Sequence, residues 1–186
     1  MIRINKAFLQ YIIKLNTLGV APAITQEYAA KGEKIITQRT SVFSVHVMEQ
    51  GMAKCYLTED TGNDFIQEFF GEGEVFGEIE VISNALSFCT IEALTPISYF
   101  KIPKAAFLDL LKSDELFNRL VLKLMANKIK YTALRHSYHQ SHPLEANLKK
   151  LLQEFPDMLN KINKKDIANY LGITVRSLNR MIKAMS

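Results

Sequence analysis

Apolar residues follow three different spacings along this 186-residue chain, and each spacing predicts a different kind of structure. From residue 27 to residue 101 they recur in short runs broken by glycine-rich or polar turns, which is typical of short strands in a small barrel or sandwich. From residue 114 to residue 138 they step by four and three, which predicts one long helix. Beyond the break at His142 and Pro143, two short amphipathic patterns flank Gly172 and predict a pair of helices.

Turn residues in the strand-rich region predict two hairpins. Residues 42–48 and 52–57 flank Gly51 as one hairpin. The polar turn at residues 60–63 folds residues 64–70 back beside the preceding strand. We therefore expect these three strands to lie side by side in the order in which they occur in the chain.

The long helix carries an apolar seam at heptad spacing, which opens after Ser113 and Asp114. Such a seam is suited to pairing with a second copy of the chain, and Asn127 within it could fix the register of the two helices. The alternative is that the helix only covers the barrel. Phe107 and Leu108, which come directly after the strand-rich region, can already cover it. We therefore expect a homodimer through Leu120, Leu124, Asn127, Tyr131 and Leu134.

The last helix, residues 175–183, separates apolar from basic residues. Leu178, Met181 and Ile182 share one stripe, while Arg176, Arg180 and Lys183 line the other side. Such a helix can be half buried and still present cations to a groove. Its candidate DNA contacts are Thr174, Arg176, Ser177, Asn179, Arg180 and Lys183.

Capping residues mark where the two C-terminal helices begin and where the turn between them lies. Asn163 and Asp166 resemble a capping box, Gly172 supplies a left-handed helix stop, and Thr174 can cap the next helix. Helix, glycine turn and capped basic helix form the order of a helix-turn-helix, whose second helix enters the major groove of DNA. The alternative is a helical hairpin with a solvated basic face.

The net charge lies at the same end of the chain. The whole chain has 23 basic and 19 acidic residues, a net charge of +4, and residues 143–186 alone hold eight basic against four acidic residues. The excess positive charge is therefore confined to the part predicted to meet phosphates. Double-stranded DNA fits this pattern better than a membrane surface, because the two-helix pattern exposes no Trp or Phe.

The sequence predicts a cytoplasmic protein that is not an enzyme. No apolar run approaches the ~20 residues of a membrane span, and no signal-peptide core is visible at the N-terminus. Cys55 and Cys89 lack the paired spacing of a metal site and are expected to be buried thiols. No Ser/His/Asp set, Walker loop or metal cluster is visible, so we predict no catalytic residue and no metal.

Four histidines are the remaining candidates for metal chemistry. His46 lies within a predicted strand with no second ligand at a suitable spacing, so a packing role is favoured. Three others step by three at the end of the long helix beside a proline, where a solvated helix end is favoured over a zinc contact: His136, His139 and His142.

The order of barrel, long helix and helix-turn-helix resembles the Crp/Fnr family of bacterial transcription regulators. Residues 71–79 look like the entry to the phosphate-binding cassette of the family, residues 165–174 look like its DNA-binding motif, and Gly51 matches its hairpin glycine. By this resemblance Arg176, Asn179 and Arg180 fall among recognition-helix positions, with Arg180 closest to an arginine that reads the major groove.

The resemblance implies an α+β fold with an N-terminal double-stranded β-helix, or jelly-roll, barrel and flanking helices. Residues 1–112 would form a cyclic-nucleotide-binding-like domain and residues 113–142 the dimerisation helix and hinge. Residues 143–186 would form the helix-turn-helix domain, in which the wing of the family is absent because the sequence stops at Ser186. A lost wing, a truncated chain and an affinity that depends on the dimer are equally compatible with this ending.

The cassette departs from the family pattern. In relatives that bind cyclic nucleotides, the glutamate after the glycine takes a ribose hydroxyl and a later arginine neutralises the phosphate. Here Gly77 and Glu78 are present, but Ser87 and Phe88 stand where Arg and Ser are expected, and no Lys or Arg lies within residues 55–100. A buried phosphate without a cation costs several kcal/mol.

We therefore expect no cyclic nucleotide as cofactor, and Glu78 is expected to cap the local turn. The predicted function is a dimeric DNA-binding regulator with another effector or none; RNA polymerase and an unidentified small molecule are further candidate partners. The alternative is a ligand-binding or interaction module whose DNA-binding end has decayed. The candidate effector pocket consists of Gly77, Glu78, Ile79, Ser87, Phe88 and Cys89.

Overall fold

A computed structural model describes residues 2–19 and 23–185 of the chain. Its N-terminal half contains two β-sheets of the predicted jelly-roll type. The strands are β1 (Ile2–Arg3), β2 (Thr25–Ala29), β3 (Lys34–Ile36), β4 (Ser44–Gln50), β5 (Ala53–Thr58), β6 (Asp64–Phe70), β7 (Val75–Phe76), β8 (Thr90–Ala93) and β9 (Ile97–Pro103).

The two sheets contain non-consecutive strands. One sheet has the order β1-β6-β5-β8-β3, which we call sheet A, and the other, sheet B, has the order β2-β9-β4-β7. The predicted turn at residues 60–63 does join β5 to β6 as antiparallel neighbours.

The predicted hairpin around Gly51 is wrong, because β4 pairs with β7 and β9 while β5 pairs with β6 and β8. Gly51 instead carries the chain from sheet B to sheet A. It has a φ of 92°, and a Cβ placed there would lie 2.5 Å from the Pro96 carbonyl oxygen, so the crossing needs glycine.

Helices cover the barrel and continue beyond it. Phe8, Phe107 and Phe117 come from three different helices, and their rings pack together in the main core with centroid separations of 5.8 and 5.4 Å. The helices are α1 (Lys6–Thr17), α2 (Glu78–Ser83), α3 (Lys104–Ser113), α4 (Glu115–Ser141), α5 (Leu144–Glu154), α6 (Met158–Lys161), α7 (Lys164–Leu171) and α8 (Val175–Met185).

The long helix α4 begins and ends where the sequence predicts. The Asp114 carboxylate accepts a hydrogen bond from the Phe117 amide at 3.0 Å and so caps the first turn. Phe117, Val121 and Leu124 are buried against the barrel. The first half of α4 is thus part of the barrel core.

A second core joins the C-terminal helices to sheet A. Ile66 and Phe69 from β6 share it with Ile167 from α7 and with Leu178 and Met181 from α8. The C-terminal helices therefore pack directly on the barrel of their own chain. Among the residues that the structure describes, no helix is both long and apolar enough to cross a membrane.

Candidate functional sites: a basic helix and a barrel cavity

The helix α8 has the two-sided surface that the sequence predicts. Leu178 and Met181 are buried, whereas Arg176, Arg180 and Lys183 are exposed. Because these three cations share the outer side of one rigid helix, they form a row that can meet phosphates or base edges.

The residues before α8 hold it in place through short polar contacts. The Thr174 hydroxyl accepts from the Ser177 amide at 3.1 Å and caps α8. Gly172 ends α7 with a φ of 66°, as expected for a left-handed stop. The Lys164 ammonium donates to the Asn179 side chain at 2.8 Å and so links the start of α7 to α8. Five of the six candidate DNA contacts are exposed, and Ser177 is half buried.

All six candidate effector-pocket residues line one cavity inside the barrel, beside α2. Its volume is only about 40 Å³. Pockets that bind small ligands usually have about 300–1,000 Å³, so this cavity is far smaller than an ordinary ligand site. Ile79 and Phe88 are partly exposed at its rim, and the remaining walls are mainly apolar: Ile36, Phe70, Phe76 and Ile91.

A cation does reach this cavity, but it comes from α4. The Lys128 ammonium lies 2.8 Å from a carboxylate oxygen of Glu78 and 3.1 Å from one of Glu74, and it donates to the Val75 carbonyl at 2.5 Å. Burial alone lowers the pKa of Lys128, but the two carboxylates outweigh burial and raise it. Glu78 thus binds a lysine of α4, whereas the sequence predicts that it caps a turn; no side chain caps α2.

Sequence reasoning missed Lys128 because it searched only the cassette for a positive charge. Lys128 is 50 residues from Glu78 in the chain. The signal that could have identified it is its position one helical turn after Leu124, on the side of α4 that faces the barrel.

The two cysteines are neighbours in the same cavity. The Cys55 and Cys89 sulfurs lie 3.0 Å apart, and both thiols are free and buried. The hydrogen bond with Cys89 and burial together raise the pKa of the Cys55 thiol. Beside them, the Ser87 hydroxyl donates to Glu80 at 3.2 Å, and burial raises the pKa of the Glu80 carboxyl.

The residues predicted for the dimer seam share one side of α4 but differ in burial. Leu124 is buried against the barrel, and Leu120 and Tyr131 are half buried. Asn127 and Leu134 are exposed.

A second heptad row of α4 faces solvent. Leu122 is 64% exposed and Ile129 is 71% exposed, and Ala126 and Ala133 lie in the same row. The steps of four, three and four between these residues were visible in the sequence. We call Leu122, Ala126, Ile129 and Ala133 the outer row of α4.

The histidines differ in their surroundings. His46 is buried, its ring stacks on Phe76 at 5.0 Å, and burial lowers its pKa to about 4. The His142 ring stacks on Tyr138 at 3.9 Å at the end of α4. The side chain of His139 lies outside the described residues, so the predicted solvated histidine row is not tested there.

Known proteins share parts of this sequence and this arrangement of elements. Residues 26–114 match the cyclic nucleotide-binding domain family. The chain is 23% identical over 163 residues to the anaerobic regulatory protein of Aggregatibacter actinomycetemcomitans; the match covers 82% of this chain and 63% of the relative, so the chain spans less than two thirds of that protein.

Solved structures of similar fold cover nearly the whole chain. FixK2 from Bradyrhizobium japonicum superposes with a TM-score of 0.76 at 18% identity, over 87% of this chain and 84% of FixK2. A CooA mutant from Carboxydothermus hydrogenoformans gives 0.76 at 15% identity, over 98% and 85% of the two chains. A Crp/Fnr-family transcriptional regulator from Eubacterium rectale gives 0.74 at 18% identity, over 97% and 83%.

Residues 26–114 are therefore similar to a cyclic nucleotide-binding domain. With the long helix and the C-terminal helices behind that domain, the chain has the fold of the Crp/Fnr regulators, and the family resemblance inferred from the sequence is confirmed.

Proposed function

We propose that the chain is a dimeric, sequence-specific DNA-binding transcription regulator whose helix α8 enters the major groove. The observation that carries this proposal is the row of exposed Arg176, Arg180 and Lys183 on a helix whose opposite side is buried. The capped turn before α8 gives the helix-turn-helix order, and the relative from Aggregatibacter actinomycetemcomitans is a regulatory protein.

The outer row of α4 is the surface we propose for the dimer. It exposes Leu122 and Ile129 to solvent at heptad spacing, whereas Leu124 is already used by the barrel. The 27 residues of α4 form a helix about 40 Å long, which gives room for several heptad layers. Pairing two copies there would place two recognition helices about a two-fold axis, as a palindromic operator requires.

The barrel is proposed to work without a cyclic nucleotide. The cavity is too small for one as it stands, and Glu78 is already bound to Lys128. An effector that acts at this site would be small or would have to displace Lys128. RNA polymerase stays a predicted partner.

DNA binding is tested by selecting bound fragments from the genome of the source organism and measuring their affinity by mobility shift at several salt concentrations. The double variant Arg176→Ala with Arg180→Ala should lose sequence preference and lower the salt slope by about 2. The matched control is Lys31→Ala with Lys34→Ala, which removes two exposed barrel lysines. Equal binding by the double variant and the parent would refute the proposal, as would a parent that binds duplex DNA without salt dependence.

The dimer is tested by sedimentation of Ile129→Glu, which places a charge in the outer row of α4. We expect a monomer at concentrations where the parent is a dimer, because a buried unpaired carboxylate costs several kcal/mol. Lys112→Glu, on the exposed surface of α3, adds an acid elsewhere and should stay dimeric. A dimeric Ile129→Glu variant would exclude the outer row as the interface.

A further inference from the structure

The barrel binds the first helix of the helix-turn-helix through a buried ion pair. The Lys54 ammonium, on β5, lies 3.1 Å from a carboxylate oxygen of Asp166 and 3.3 Å from one of Glu92. The side chains of Lys54 and Asp166 are only 12% and 6% exposed. Solvent therefore screens this pair much less than an ion pair on the surface.

Asp166 belongs to the N-terminal cap of α7. The Asp166 amide donates to the Asn163 side-chain oxygen at 2.8 Å, and the Asn163 amide group donates to the other carboxylate oxygen of Asp166 at 2.7 Å. Lys54 thus contacts a carboxylate that is itself fixed to the first turn of α7. A lysine of the barrel completes a cap that the sequence shows only as a local pair.

The position of α7 determines the position of α8. Lys164 of α7 donates to Asn179 of α8, and the two helices are joined by only three residues. Leu178 of α8 lies in the same core as Phe69 of β6. A shift of the α7 cap relative to β5 therefore moves the exposed face of α8.

A second set of contacts holds the other end of α7. The Arg135 side chain of α4 donates to the Gln67 carbonyl of β6, lies 3.8 Å from Glu68, and stands over the Tyr170 ring at 5.6 Å. The Tyr170 ring also packs on Phe69 at 5.3 Å. This end of α7 is mainly held by ring packing and by α4, whereas the ion pair at the α7 cap links α7 directly to β5.

We infer that Lys54 is a positioning residue for the recognition helix: through Asp166 it fixes the helix-turn-helix to the barrel in the orientation that DNA reads. The inference rests on the proposed function. In this orientation the three cations of α8 are exposed, so the contact supports binding and does not block it. Without Lys54, the start of α7 loses this polar contact with β5, and the helical unit is held only by its apolar core with sheet A and by the contacts of Arg135, which restrict its orientation less.

The test compares Lys54→Met, which keeps an apolar stem but removes the ammonium, with Lys31→Met on an exposed barrel turn. Affinity for the selected operator should fall about tenfold in Lys54→Met and stay unchanged in Lys31→Met. The two half-sites are then moved apart or together by one and two base pairs. The parent should bind one spacing best, and Lys54→Met should bind the spacings more evenly, which a simple loss of stability would not produce.

A double-mutant cycle with Asp166→Asn tests whether Lys54 acts on DNA binding through Asp166. If Lys54 acts through Asp166, the double variant should bind DNA about as weakly as Lys54→Met alone, and Lys54→Arg should restore most of the affinity. Additive losses would refute action through Asp166. Unchanged affinity and spacing preference in Lys54→Met would refute the positioning role.

A measurement without DNA separates this inference from the proposed function. Spin labels at Thr61→Cys and Ala184→Cys, in a chain with Cys55→Ser and Cys89→Ser and diluted with unlabelled chain, report the distance from the barrel to α8. The parent should give a narrow distance distribution and Lys54→Met a broad one. Equal widths would refute the inference, whereas a narrow parent distribution without operator binding would refute the proposed function alone.

Discussion

Replacing Lys128 by Met tests whether the ion pair inside the barrel stabilises the fold. Lys128 is the cation of two nearly inaccessible carboxylates, since the side chain of Glu78 is 1% exposed and that of Glu74 is 6% exposed. Methionine has a similar length and fills the same space, so the change removes charge and hydrogen bonding with little change in volume. Arg3 remains 3.6 Å from Glu74, which leaves Glu78 as the uncompensated charge.

The expected loss has a lower and an upper bound. Breaking a buried ion pair by removing one partner costs about 3–5 kcal/mol. Because Glu74 keeps Arg3 as a partner, we expect a loss near the lower end of this range, about 3–4 kcal/mol in the free energy of unfolding at pH 7.

Urea unfolding followed by circular dichroism at fixed protein concentration measures this loss, and fixed concentration keeps the contribution of the dimer constant. Lys130→Met, on an exposed side of the same helix, should change stability by less than about 0.5 kcal/mol. Lys128→Met with Glu78→Gln should recover part of the loss, because a neutral amide needs no cation. A loss below about 1 kcal/mol at pH 7 would contradict this account of the cavity.

Two further predictions concern the same barrel. The pKa of His46 is lowered to about 4 from an ordinary 6.5, so between these values the unfolded chain binds a proton that the folded chain does not. The parent should therefore lose about 3 kcal/mol of stability relative to His46→Gln as pH falls from 7 to 4, and parallel pH profiles of urea unfolding would contradict a buried neutral imidazole. Gly77→Ala should destabilise by at least about 2 kcal/mol, because φ is 86° and the new Cβ would lie 2.7 Å from the Ser44 carbonyl oxygen. Gly62→Ala has a similar φ of 80° with no atom within 4 Å, so it should cost only about 1 kcal/mol, and equal losses in thermal unfolding would show that the close approach is unimportant.

Local chemistry explains why the helical end of the chain was predictable. The caps by Asn163 and Thr174 and the left-handed Gly172 depend on residues within a few positions of one another. The boundaries of α4 are local as well, since Asp114 caps its start and Pro143 follows its end. Each of these contacts depends only on residues within one turn. It can therefore form whatever the arrangement of the rest of the fold.

The strand order was less predictable because it depends on distant partners. Gly51 lies between two strands with only two residues separating them, which locally favours a hairpin. The structure pairs β4 with β9, about 50 residues further along, and it uses the positive φ of Gly51 to change sheets. Turn composition alone does not distinguish a hairpin from a crossing between two packed sheets.

The cavity, like the strand order, depends partly on a residue that is distant in the chain. Its six predicted lining residues are in place, because the cassette folds as one local unit around Gly77. The inference that it lacks a cation was incomplete, since Lys128 arrives from another element through the packing of α4 on the barrel. The sequence alone does not show that Lys128 shares the side of α4 on which Phe117, Val121 and Leu124 pack against the barrel, because the outer row is also apolar and heptad-spaced.

The long helix α4 contacts both the barrel cavity and the helix-turn-helix, so it connects the proposed effector site to the proposed DNA-binding site. Lys128 binds the cassette, and about two turns later Arg135 contacts sheet A and the ring of Tyr170 in the proposed DNA-binding unit. A ligand that pairs with Glu78 would have to replace the Lys128 contact, whose loss costs about 3–4 kcal/mol by the estimate above. Since 1.4 kcal/mol is a factor of ten, such a ligand would lose several-hundred-fold in apparent affinity. We therefore expect the barrel to resist effectors at this site, and an arrangement that holds α4 in place without a ligand fits the proposal of DNA binding that does not depend on one.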